Sequence, residues 1–369
     1  MTMTLRDPHQ ALSYWQAGTA AIPPDAGVLP IPDAGLINET WLVCDSSGSD
    51  SLPVAVLQWL NPIIDPRIHE DVLAVTGRLR EFGMATPELI PTAEGRAWLP
   101  EDENDPAKGC WRMWTYVPGV TWHRLETPAQ AAAAGELVGR FHSAMAGWNY
   151  EYRAPRRNIH DTPARMTELR SALAERADHP LIEEAGALGA SILDGWRLWS
   201  RDGRTDLPAR SCHGDLKISN LRFASTPSGT APSGICLLDL DTLGPQTLAA
   251  EMGDAWRSWC NPAGEDEPDR VRFDVHLFAA SARAWISRMS DLTLQEAESL
   301  VPGIERICWE LAARFCTDAI RNSYFRENRK RHPEPGRHNL VRAASQCKLA
   351  QLVRAERERC IELIEDLLP

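Results

Sequence analysis

The stretch SCHGDLKISN (residues 211–220), followed by ICLLDLDT (235–242), crowds His213, Asp215, Lys217 and Asn220 into one segment and then adds Asp239 and Asp241. Gly214 gives the backbone room for a tight turn ahead of Asp215. The apolar run Ile235–Leu238 reads as a strand that delivers its carboxylates at one end. Asp239 and Asp241, two apart on an extended chain, would share a face. HGD alone is an ordinary turn sequence, and Asn220 alone is a residue that caps bends. The weight falls on the pair: a polar loop and a carboxylate-tipped strand in close succession.

Working outward, 369 residues at roughly 150 per domain call for two packed units or one large two-lobed one. An apolar share of 43% with 24% charged is that of a folded globular chain, which excludes disordered and fibrous classes. No uncharged apolar run approaches 18 residues, and MTMTLRDPHQALSYW lacks the basic start and apolar centre of a secretory leader, so the expected location is cytoplasmic. Nine cysteines without a CxxC pair fit reduced thiols, not a disulfide frame or a zinc ligand set. A net charge of −12 repels phosphate backbones and anionic membranes, and the one basic cluster, RENRKRH (326–332), reads as a solvated loop or helix end. Neither nucleic acid nor membrane is an expected partner.

GLINETWLVC and LPVAVLQWL, separated by DSSGSDS, read as a hairpin within residues 35–60. Ile68, Val72, Val75 and Leu79 mark a following helix closed by Gly83, and PELIPTAEGRAWL and CWRMWTYVPG are again strand-like. Beyond Gly119, Thr127-Pro128 opens an alanine-rich helix. Helical runs follow at 163–177, 182–200, 270–290, 294–319 and 338–368, with one β interruption at 209–243. The expected fold is α+β and bilobal: a β-rich lobe over 1–118 with a small antiparallel sheet, and a larger, mostly helical lobe over 119–369. Such lobes commonly enclose a cleft for small ligands.

Phosphoryl transfer from a nucleotide asks a protein to place a carboxylate beside the acceptor hydroxyl and to hold Mg²⁺ against the phosphates. In protein kinases one loop supplies an Asp for the hydroxyl and, five residues on, an Asn for the metal. Asp215 and Asn220 have that spacing, and Asp239 at a strand end brings a second hard oxygen ligand. Asp241 either joins the metal or orders the loop beyond.

HGDLKISN with LLDLDT resembles the aminoglycoside phosphotransferase and choline kinase superfamily of small-molecule kinases, whose fold is protein-kinase-like. GLINETWLV (35–43), LQWLN (57–61), MGDAWRS (252–258) and HNLVRAASQCKL (338–349) are similar to its N-acetylhexosamine 1-kinase branch. The resemblance implies Asp215 as base, Asn220 and Asp239 as Mg²⁺ ligands, and ATP as the donor. It makes GLINETW the turn over the phosphates, with Gly35 and the backbone from Asn38 to Thr40. It makes WRMWTYVPG (111–119) the adenine hinge, walled by Met113, Trp111, Trp114 and Tyr116. Where kinases carry a strand lysine paired to a helix glutamate, VAVLQWLN offers only Gln58. Glu70 stands where the partner would be, though it is equally an exposed helix carboxylate, and Arg112 is another source of charge, though a partly exposed strand arginine is its plainer reading. For the acceptor, Asp254 and Arg257 share a helical face, and His338, Arg342 and Gln346 recur every four residues as a polar stripe. An intrahelical ion pair and a solvated face are the plainer readings of the two.

The implied activity is ATP-dependent phosphorylation of a hydroxyl on a sugar or amino sugar. The alternatives are an aminoglycoside, choline, homoserine or another metabolite as acceptor, or a nucleotide-binding module without catalysis. The oligomeric state, the acceptor and the choice of ATP over GTP are left open by the sequence.

Overall fold

Large apolar residues alternate with smaller or polar ones through ETWLVCD and LPVAVLQWL, and in the computed structural model these become strands β2 (Glu39–Asp45) and β3 (Leu52–Leu60). The structure describes residues 6–16, 22–31, 37–45, 52–105, 108–155, 160–202, 206–225, 227 and 230–368. The chain divides into two compact units, Met1–Gly119 with Tyr150–Pro155, and Val120–Asn149 with Arg156–Pro369.

In the first unit, β1 (Gly27–Pro30), β4 (Leu99–Pro100) and β5 (Cys110–Thr115) complete an antiparallel sheet of order β1-β2-β3-β5-β4. Its core face carries Val43, Ala55, Leu57, Trp59, Trp111 and Met113 against Ala11, Leu12 and Trp15 of helix α1 (Pro8–Gln16). Strand alternation therefore sends Gln58, Arg112 and Trp114 to the other face. Trp111 and Met113, expected to wall an adenine pocket, are fully buried core residues instead, Trp111 lying 5.2 Å from the Trp41 ring. Helix α2 (Ile68–Glu81) buries the anticipated Ile68, Val72, Val75 and Leu79. It also buries Asp71, which accepts hydrogen bonds from Tyr150 Oη (2.9 Å) and the amides of Arg153 (2.8 Å) and Ala154 (2.9 Å). Those three bonds explain why residues 150–155 belong to this unit, which a single cut after residue 118 does not foresee.

The second unit holds helices α3 (Pro128–Met145), α4 (Thr162–Glu175), α5 (Ile182–Asp202), α6 (Leu248–Trp259), α7 (Val275–Ile286), α8 (Leu294–Arg321), α9 (Arg337–Ala355) and α10 (Arg357–Glu365). Capping boxes start α3 (Thr127 with Gln130) and α8 (Thr293 with Glu296). The helix expected from residue 270 begins at 275, because Asp274 takes the amides of His276 and Leu277 as its N-cap. Two small ladders accompany the helices: β6 (Val120–Thr121), β8 (Leu221–Phe223) and β9 (Gly234–Leu237), and β7 (Arg210–Cys212) with β10 (Gly244–Gln246). Helices α6 and α8 cross at Gly253 and Gly303, so closely that a methyl group on Gly303 would strike the Ala249 carbonyl. That crossing fixes where the polar residues of α6 lie along α8.

All nine cysteines are buried and unbridged. Among the described residues no helix is long and apolar enough to cross a membrane.

Candidate active site

Strand β7 ends at Cys212, and the backbone of the HGD turn is then held from several sides. Glu251 of α6, almost fully buried, accepts the amides of His213 (2.7 Å) and Gly214 (2.9 Å) on its two oxygens. Thr242 Oγ1 donates to the His213 carbonyl (2.8 Å), and Trp259 Nε1 donates to that of Leu216 (2.8 Å). His213 Nε2 lies 2.9 Å from the Leu238 carbonyl while its Nδ1 accepts the Asp215 amide (3.3 Å), so the ring carries its proton on Nε2 and ties the loop to the DLD strand end. Gly214 sits at φ +85°, where a side chain would collide with the Thr242 carbonyl. Burial alone would raise the Glu251 carboxyl, but the hydrogen bonds from His142 and from the loop amides hold it below the usual carboxylate range. His142 Nδ1 accepts from Trp285 Nε1 (2.9 Å), which leaves its Nε2 proton for Glu251 (3.3 Å).

The fixed loop presents three oxygen-bearing side chains. Asp215 is paired with Lys217 Nζ at 2.6 Å. Burial would raise its carboxyl, and Lys217 more than offsets that, so Asp215 stays ionised below the ordinary range. Asn220, on the short 3₁₀ turn Ile218–Asn220, donates Nδ2 to the Asp215 carbonyl (2.9 Å), which turns the amide's only acceptor, Oδ1, away from that task. Asp239 adopts φ +59°, uncommon for a residue with a side chain, and no hydrogen bond to its carboxylate is found among the described residues. Its tip is exposed, yet desolvation by the protein crowding it, then the charge of Asp241, push its carboxyl above the usual value. An exposed carboxylate in a strained backbone conformation, repelled by a buried neighbour, has the chemistry of a cation ligand. Two oxygen ligands of this kind fit a hard divalent ion such as Mg²⁺.

Asp254 and Arg257 of α6 form a buried pair (2.8 Å), and Arg257 also reaches Glu265 (3.3 Å). Arg257 acts on the charge of Asp215, and Asp254 on that of Lys217, so this pair neighbours the loop. Glu265 lies 3.9 Å from Arg342 Nε of α9, which brings the two expected acceptor segments together. Asp254 Oδ2, Arg342 Nε and Gln346 Oε1 are all buried and, among the described residues, without a hydrogen-bond partner. His338 does not join them: its Nδ1 accepts the Asn328 amide (3.0 Å), its Nε2 faces Asp266 (3.4 Å), and its ring stacks on His332. It anchors the 326–332 segment, which is why the four-residue stripe is only partly a site.

On the first unit's sheet, Gln58 and Arg112 are opposed in register. Gln58 Oε1 accepts from Arg112 Nε (2.9 Å) and Nη2 (2.5 Å), its Nε2 donates to Thr40 Oγ1 (3.1 Å), and Arg112 lies over the Trp114 ring at 4.8 Å. Asn38 Oδ1 takes the Asn61 amide (3.1 Å) and Tyr116 is half-buried. Glu70 is exposed, in keeping with an ordinary surface residue. Gly35 lies outside the described residues.

Two further groups have the composition of metal sites among the described residues, His142 with Cys212 and Glu251, and Asp266 with His332 and His338. In the first the histidine is committed on both nitrogens. In the second His338 Nδ1 accepts an amide proton and Arg331 already sits 2.7 Å from Asp266 Oδ2. Both are hydrogen-bonded supports.

Sequence reasoning missed Glu251, 36 residues beyond Asp215, and His160, isolated before α4. His160 Nδ1 is 3.0 Å from buried Glu310 of α8; burial would strip the ring's proton, but Glu310 and then Asp254 hold its pKa above the usual histidine value.

Residues 32–285 match the APH phosphotransferase enzyme family. Similar solved structures include a microcompartment-associated aminopropanol kinase (17% identity, 96% of this chain and 98% of that one, TM-score 0.62). The amicoumacin kinase hAmiN, solved with AMP-PNP and Ca²⁺, is 14% identical over 93% of each chain at TM-score 0.60. Choline kinase from Cryptosporidium parvum is 12% identical over 95% of each chain at TM-score 0.56.

Proposed function

Because the chain belongs to the APH phosphotransferase enzyme family and is a small-molecule kinase with a hydroxyl acceptor, we propose that it transfers the γ-phosphate of ATP to a hydroxyl of a sugar or amino sugar, as in the N-acetylhexosamine 1-kinase branch its sequence resembles. The observation that carries this reading is the loop whose backbone Glu251 holds, with Asp215 within electrostatic reach of Arg257 and with Asn220 Oδ1 and Asp239 available to a cation.

Asn220 and Asp239, with Asp241 buried behind, would hold Mg²⁺, which when bound neutralises charge on the phosphates. Asp215 accepts a hydrogen bond from the acceptor hydroxyl and aims its oxygen in line with the γ-phosphorus. Held below the usual range by Lys217, Asp215 is a weak base. A loose transition state tolerates that, since the hydroxyl needs orientation first and passes its proton to Asp215 only as the new P–O bond forms and the bond from the γ-phosphorus to the bridging oxygen breaks, releasing ADP. Lys217, 2.6 Å away, keeps the carboxylate ionised and in place.

In place of the absent strand lysine, Arg112 supplies positive charge to the sheet face, clamped by Gln58 and stacked on Trp114. Arg112→Gln is expected to raise the KM for ATP by about tenfold or more, the worth of a charged hydrogen bond, with the acceptor KM unchanged. Steady-state titration of ATP checks this, and an unchanged ATP KM would remove Arg112 from the donor site.

The function itself is tested by a coupled ADP assay with Mg·ATP and a panel of N-acetylglucosamine, N-acetylgalactosamine, glucose, choline, ethanolamine and kanamycin. ADP release above the acceptor-free rate is expected with a sugar. Turnover of choline or kanamycin with all sugars inert would contradict the assignment.

A further inference from the structure

We propose that His160 is an acceptor-binding residue of this kinase, its Nε2 and Asp254 Oδ2 together binding hydroxyls of an uncharged, polyhydroxylated acceptor; the inference rests on the function proposed above and narrows it.

The ring is fixed entirely through its other side. Nδ1 donates to Glu310 Oε1, Glu310 Oε2 accepts from Thr162 Oγ1 (2.7 Å), and Arg306 donates to both Thr162 Oγ1 (3.0 Å) and the His160 carbonyl (2.7 Å). Four hydrogen bonds from three residues, at the start of α4 and on α8, thus orient an imidazole whose remaining nitrogen is buried and has no hydrogen-bond partner among the described residues. A buried polar atom left idle is costly, and Asp254, which carries a second such atom in Oδ2, is near enough for its charge to act on the His160 ring. Gly253 of α6 packs on Gly303 and Ile307 of α8, so Asp254, the next residue, falls beside the turn that carries Glu310. Arg342 Nε and Gln346 Oε1, one helical turn apart on α9, are tied to this place through Glu265.

The charges select the ligand. Asp254, Glu265 and Glu310 stand against Arg257, Arg342 and a His160 ring paired with Glu310, with Arg306 behind that ring, so both signs of charge are present together. An ammonium group would meet two guanidiniums and an imidazole, and an anion would meet three carboxylates. A hydroxyl both donates and accepts, and so satisfies Asp254 Oδ2 and Gln346 Oε1 as readily as Arg342 Nε and His160 Nε2. A site built this way rejects acceptors that lack the matching hydroxyls.

The test separates the two sides of the ring. Asparagine can keep the bond to Glu310 but has nothing at the Nε2 position, whereas glutamine places its amide there. In the full chain, with Mg·ATP and N-acetylglucosamine, His160→Asn is expected to raise the acceptor KM by about 10- to 100-fold while the ATP KM stays within about twofold. His160→Gln should recover most of that loss. Equal effects of the two variants, or a fall in kcat with the acceptor KM unchanged, would mean a merely structural role and overturn the inference while leaving the kinase reading intact. Turnover of choline or kanamycin but of no sugar also overturns it. ADP release with no acceptor in the panel would overturn the proposed function, and this inference with it.

Discussion

Asp215→Asn is expected to lower kcat by about 10³-fold while the KM for ATP changes little. The magnitude follows from losing a positioned acid–base group, which is worth about 10²–10⁴ in rate. The near-constant ATP KM follows from the residue's place: Asp215 faces the acceptor hydroxyl, and its own bonding is to Lys217 and through its backbone to His213 and Asn220. The loop itself should survive, because Glu251, Thr242 and Trp259 hold its backbone without using the Asp215 side chain. The lost ion pair involves a partly exposed lysine, so the stability cost is small. Coupled ADP kinetics on the variant, with ATP varied at saturating acceptor, check both parts. A kcat within tenfold of the native value would remove Asp215 from the reaction.

Asp239→Asn separates function from stability even more sharply. The native carboxylate stands at φ +59°, which asparagine tolerates at least as well as aspartate, and it is disfavoured in its charged form by crowding and by Asp241 and Asp215. The sign is then definite. A carboxyl whose folded pKa lies above its unfolded one destabilises the fold once ionised, and the penalty disappears as pH falls through the folded value. At neutral pH the neutral amide should leave the thermal midpoint equal to or above that of the native chain. The difference between the two proteins should shrink as the solution is acidified. Activity with Mg·ATP should nevertheless fall by about 10³-fold, because a neutral amide is a poor substitute for a carboxylate ligand worth several kcal/mol of transition-state stabilisation. Thermal melts at several pH values and steady-state kinetics test the pair of outcomes. A destabilised variant with native activity would show that Asp239 serves the fold and not a cation.

How much of this was legible in the sequence depends on distance along the chain. HGDLKISN and LLDLD could be read because the loop is contiguous and the strand returns to it after a short turn. The buried carboxylate that fixes the loop, Glu251, is not marked by any local pattern, since it acts from the first turn of α6, far along the chain from the loop. His160 is a lone histidine, and only the packing of α4 on α8 gives it Glu310. Strand phase misled the reading of WRMWTYVPG: an alternating strand sends Trp111 and Met113 to the core and Arg112 and Trp114 to the opposite face, and aromatic content alone does not reveal which. Likewise the four-residue period of His338, Arg342 and Gln346 is real on α9, but contacts from outside the helix, Asn328 and Asp266, claim the first of the three. Short strands such as β6 and β10 have too few residues for periodicity to register.

The central claim is that Asn220 and Asp239 hold one divalent cation next to Asp215. Anomalous diffraction from crystals grown with Mn²⁺ and a non-hydrolysable ATP analogue measures this directly. A single manganese peak at bonding distance from Asn220 Oδ1 and an Asp239 oxygen, touching the nucleotide's phosphates, is the predicted result. A manganese ion bound to the phosphates with Asn220 and Asp239 both outside its coordination sphere would contradict it.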